Sequence, residues 1–106
     1  MQSLLALASI LHAEQDAVLA RLAEVVADDG GAWVPTGDSL ERRLPIAGRE
    51  QWRVLPDEEG SRVEFEIVAS ASSSALAGVL ARRRIRAAPE RFRAVVTALA
   101  DRVEER

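Results

Sequence analysis

Residues 52–67, "WRVLPDEEGSRVEFEI", place Trp52, Val54, Val63, Phe65 and Ile67 at alternate positions on either side of a polar turn. Such alternation fits a strand with one buried face and fits no helix, because successive strand side chains point to opposite sides. Burial then selects the pairing. A four-residue loop at "DEEG" sets Val54 opposite Val63 and Trp52 opposite Phe65, and turns Arg53 toward Glu64 on the other face. Upstream, Leu40, Leu44 and Ile46 supply a third strand, and a three-residue loop that includes Arg49 brings Leu44 opposite Trp52. The expected sheet is a three-stranded antiparallel meander whose wet face carries a row of Arg43, Arg53 and Glu64 beside Glu66. Opposite charges facing across strands stabilise such a sheet by about 0.2 to 1 kcal/mol per pair.

Helical periodicity frames this sheet. Leu4, Ala8, Leu11, Val18, Leu22 and Val25 recur at helical spacing, so residues 4–26 read as one long helix, stopped by the glycines of "ADDGG". After the sheet, Ser72, Ser73 and Ser74 are candidate N-caps for a short helix ending near Arg84. A fourth strand, "VLARRRIRA", is the competing reading of residues 79–87. Pro89 suits the first turn of a last helix, in which Phe92, Val95, Val96, Leu99 and Val103 form an apolar stripe. The expected fold is α+β: a long N-terminal helix, a three-stranded antiparallel meander and two C-terminal helices packed on one sheet face, as a single domain over residues 1–106.

Composition narrows the chemistry. Cysteine is absent, which removes disulfides, thiolate metal sites and cysteine nucleophiles and leaves the cytoplasm as the expected compartment. Residues 1–13 lack the basic start of a secretory leader, and their periodicity continues into "EQDAVLARLAEVV". No apolar run approaches the roughly 20 residues of a membrane span. His12, the single histidine, precedes Asp16 by one helical turn with no nucleophile or metal-ligand partner in local register, so it reads as a packed or ion-paired imidazole. The acidic pairs of "ADDGG" and "PDEEG" lack calcium-loop spacing, and a chain without lysine makes no P-loop. No catalytic constellation, cofactor motif or metal set is legible. Arginine as the only basic residue, with many alanines, is the composition expected of a GC-rich bacterial genome.

Positive charge is concentrated in one place. Arg82, Arg83, Arg84, Arg86, Arg91 and Arg93 all fall within residues 80–93 of a chain whose formal net charge is -3. On a short helix the first three fan apart by about 100° each, and Arg91 and Arg93 flank the Phe92 stripe of the next helix. A helix-turn-helix reading fails on the outward positions of that last helix, Glu90, Ala94, Thr97, Ala98 and Asp101, which offer base edges little. The cluster reads first as solvated helix surface; of the functional readings, an acidic protein partner or subunit contact suits it better than nucleic acid, with Arg82, Arg83 and Arg86 as the candidate contacts. Trp33, in "GGAWVPTG", is either a second contact anchor or a lid on the core.

An open three-stranded sheet leaves "RVEFEIVA" as an edge strand without proline or lysine, and pairing with a second copy would hide it. The resulting expectation is a homodimeric protein-interaction or adaptor module without catalytic activity, cofactor or membrane contact. The order of helix, strands and further helices resembles that of small acidic secretion chaperones, which implies a chaperone-like role and carries over no residue. Two other classes compete: a regulator holding nucleic acid through residues 82–93, and a small-ligand protein or enzyme with a pocket between the first helix and the sheet, lined by His12 or Gln15.

Overall fold

The computed structural model describes residues 2–27, 33–43, 48–69 and 75–104, with the backbone alone at 2, 69 and 75–81. The described elements run β1 (Gln2–Leu11), α1 (Gln15–Ala27), β2 (Val34–Thr36), β3 (Ser39–Arg43), β4 (Gly48–Asp57), β5 (Gly60–Ala69) and α2 (Ala75–Val103). The strands make one sheet in the order β1-β5-β4-β3-β2, every neighbouring pair antiparallel.

The fold is α+β, but the expected architecture is corrected in three places. The long N-terminal helix is instead a strand followed by a helix: β1 pairs with β5, setting Leu5 opposite Ile67, Leu7 opposite Phe65 and Leu11 opposite Ser61. Leucine and alanine favour helix locally, yet the alternating set Leu5, Leu7 and Leu11 completes the sheet's buried face, and that tertiary gain overrides propensity. Among the described residues the sheet has five strands rather than three. Finally, residues 75–103 form one helix with Pro89 inside it, where two helices were expected, and residues 79–87 are helical rather than a fourth strand. The order of elements therefore no longer matches that of the secretion chaperones. Ser72, Ser73 and Ser74, residues 28–31 of "ADDGG", and Leu44 and Ile46 lie outside the described residues.

Register within the hairpins follows burial only in part. Between β4 and β5, Val54 faces Val63, Trp52 faces Phe65 and Arg53 faces Glu64 as expected, and pairing extends to Asp57 and Gly60, leaving Glu58 and Glu59 as the turn. Between β3 and β4 the three-residue loop is corrected: Leu40, not Leu44, lies opposite Trp52, and Arg43 faces Arg49. A slip by an even number of residues keeps the same face buried, so alternation fixes the face and leaves the offset open. Arg43 therefore leaves the expected charge row, while Glu64 pairs with Arg53 at 4.0 Å and with Arg62 at 2.7 Å.

The core lies between the sheet and the two helices. Trp52 is its centre, with ring centroids 4.8 Å from Phe65 and 5.6 Å from Phe92, the latter nearly parallel at 4°. Val18, Leu22 and Val26 of α1 and Ala88 and Leu99 of α2 close over it. Polar ties fix the turn between β1 and α1: Gln15 Nε2 donates to the Val54 carbonyl at 2.8 Å, and Ser61 Oγ donates to the Ala13 carbonyl at 2.7 Å. Gly60, at φ +140°, passes directly beneath that turn, and a Cβ there would stand 2.3 Å from the Leu11 carbonyl oxygen. β5, the expected edge strand, lies between β1 and β4, so the dimer contact expected of it has no open edge to use. No helix among the described residues is long and apolar enough to cross a membrane.

Candidate functional site

The alternation that turns Trp52 and Val54 inward places Glu50 on the same face of β4, and its side chain is 0% exposed. An isolated buried carboxylate would cost several kcal/mol (~) in lost hydration, so its partners decide whether the arrangement is tolerable. Arg42, directly opposite in β3, donates to Glu50 Oε1 through Nε at 3.1 Å and through a second, shorter bond from Nη2. Arg84 and Arg91 of α2 reach Glu50 Oε2 at 3.6 and 3.4 Å. These two arginines are about two helical turns apart and therefore share one side of the helix. Buried Ala88 lies between them along the helix. On its other side the Arg42 guanidinium covers the Trp33 ring, 4.4 Å from the centroid, in cation–π geometry.

The exposures grade outward: Arg42 is 14% exposed, Arg84 31% and Arg91 35%. Glu50 therefore works as a buried anchor on β4 to which Arg42 of β3 and the inward arginines of α2 are tied. The indole N–H groups of Trp33 and Trp52 are buried without a hydrogen-bond partner among the described residues.

The remaining arginines of the cluster point elsewhere. Because α2 is unbroken, Arg82, Arg86 and Arg93 fall within about 40° of arc and span about 16 Å of helix, making one row. Arg83 stands about 100° away from Arg82. All four are exposed, and among the described residues no hydrogen bond or ion pair engages their guanidinium groups. Arg93 borders a groove between α2 and β1 lined by Leu7, Ser9, Pro89, Phe92 and Val96. The helical period carries the row on to Arg86 and Arg82 along the same flank.

Of the residues singled out from sequence, Arg82 and Arg86 thus join Arg93, Arg83 is exposed but off the row, and Trp33 is half-buried beneath Arg42. His12 and Gln15 are engaged by separate partners: the His12 backbone N–H donates to Glu104 Oε2 at 2.7 Å, its ring Nδ1 is 3.2 Å from the Glu59 carbonyl, and Gln15 is bonded to Val54. Glu50, Arg42, Arg84 and Arg91 were missed as a group. The signal was present, since Glu50 and Arg42 share the inward parity of Trp52 and Leu40, and an acid at such a position demands cationic partners. Among the described residues no three His, Asp or Glu side chains gather as a metal-ligand set. The chain matches no protein-family model, no curated protein and no solved structure.

Proposed function

We propose that the protein is a non-catalytic interaction module that recognises an acidic protein partner through the outer arginines of α2. The observation that carries this reading is the exposed row of Arg82, Arg86 and Arg93, without ion partners among the described residues, on a helix whose inner arginines are tied to Glu50. Anchoring α2 fixes the direction of the row, and a fixed row of cations favours partners of matching negative pattern. An acidic partner is preferred to nucleic acid because Glu90 and Asp101 border the same helix surface and the chain carries a formal net charge of -3.

The test is fluorescence anisotropy with labelled polyglutamate and with generic duplex DNA over a range of salt, using the wild-type chain and an Arg82→Glu, Arg86→Glu variant. Polyglutamate is expected to bind in a salt-sensitive manner, and the variant to lose about tenfold or more in affinity while its Tm moves by no more than a few degrees (~). Undiminished binding by the folded variant, or tighter binding to the duplex than to polyglutamate, overturns the reading.

A further inference from the structure

We infer that the acidic partner is held as an added strand: the outer edge of β1 pairs with an extended segment whose carboxylates meet Arg82, Arg86 and Arg93. This rests on the acidic-partner reading and specifies how it is achieved. The two edges of the sheet are unlike. β2 has only 3 residues and contains Pro35, both of which discourage pairing, whereas β1 runs for 10 residues, "QSLLALASIL", without a charge or a proline. On the side away from β5, no strand among the described residues pairs with β1. A long uncharged edge of this kind is a template for another chain, since its outward N–H and C=O groups await partners.

The arginine row runs beside that edge. Glu104, just beyond α2, accepts the backbone N–H of His12, just beyond β1, so helix and strand travel side by side in the same direction. The groove confirms their adjacency midway, with Leu7 and Ser9 across from Phe92, Arg93 and Val96. Three same-side positions of an added strand cover about 13 Å, close to the roughly 16 Å spanned by Arg82, Arg86 and Arg93. The favoured segment therefore alternates acidic side chains toward the helix with apolar ones on the opposite face, beside the outward Ala6, Ala8 and Ile10 of β1. A second copy of the chain fits less well. Antiparallel pairing of β1 with itself would bring two arginine rows together on one face, and like charges so placed repel.

The test uses the full chain and a labelled octapeptide alternating valine and glutamate, with both ends blocked. Two further versions are N-methylated on every valine or on every glutamate, so that each lacks the N–H donors along one edge only. Strand addition predicts that the parent binds, that one methylated version is weakened by about tenfold to a hundredfold, and that the other stays within about threefold. A glutamine-for-glutamate peptide should also weaken by about tenfold, and amide exchange should slow in residues 5–11 on binding. Equal effects of the two methylation patterns, or binding of polyglutamate but not of the octapeptide, overturn strand addition while leaving the acidic-partner reading standing. Binding of neither probe overturns both. Tight binding of the glutamine peptide refutes the role given to the arginines, and a chain that doubles in mass with protected β1 amides and no peptide present shows that the edge is taken by a second copy.

Discussion

Replacing Glu50 with alanine removes the acid on which three arginines converge, and the structure sets the scale of the loss. Opposite unit charges about 4 Å apart attract by about 4 kcal/mol at an effective dielectric of 20, a figure suited to Arg42, which is only 14% exposed. Arg84 and Arg91, 31% and 35% exposed, are screened by solvent and contribute nearer 0.2 to 1 kcal/mol each (~). The desolvation cost of Glu50 disappears with its side chain, but that of Arg42 remains in the variant without compensation. The expected destabilisation is therefore about 3 to 5 kcal/mol, equivalent to a fall in Tm of roughly 15 to 30 °C for a chain of this size. Urea unfolding followed by Trp33 and Trp52 fluorescence measures it. The double variant Glu50→Leu, Arg42→Leu should recover most of the loss, because removing both ends of a buried pair is far less costly than removing one. A loss below about 1 kcal/mol for Glu50→Ala would mean that the carboxylate behaves as an exposed ion, and the anchoring argument would fail.

Gly60→Ala should cost about 2 kcal/mol or more, read from the urea midpoint, because φ is +140° and the added Cβ would meet the Leu11 carbonyl oxygen at 2.3 Å; an unchanged midpoint would place the β1–α1 turn elsewhere. Pro89→Ala restores an N–H toward the Ile85 carbonyl within α2 and should raise stability by about 1 to 3 kcal/mol, measured in the same assay, whereas a lower midpoint would show that the chain turns at Pro89 instead of continuing as helix.

How far the sequence could be read depended on whether one local pattern had a single solution. Strict alternation from Trp52 to Ile67 admits only a strand, so the face and register of β4 on β5 were legible. Residues 4–11 are apolar except for Ser9, and such a run satisfies a helical and a strand period equally. His12, Ala13 and Glu14 contain neither glycine nor proline to mark the break before α1, so β1 was absorbed into a helix. Missing β1 left β5 as a false edge and hid the real one. Pro89 caused the opposite error: proline is best accommodated in the first turn of a helix, which suggested a boundary where α2 continues. That boundary separated Arg84 from Arg91 and Arg82 from Arg93, so neither the inward pair on Glu50 nor the outer row could be seen. Trp33 was legible as a choice between lid and anchor, and its cover by Arg42 depended on a register that alternation left open.

The continuity of α2 underlies both the Glu50 anchor and the outer arginine row, and a distance between nitroxide labels tests it most directly. The chain has no cysteine of its own, so Arg83→Cys and Asp101→Cys supply two unique labelling sites, both exposed and about five helical turns apart on the same side. An unbroken helix predicts a single narrow backbone separation near 27 Å (~), adjusted for the label arms. A much shorter or broad distribution would mean that the chain turns near Pro89, and the shared row of Arg82, Arg86 and Arg93 would not exist.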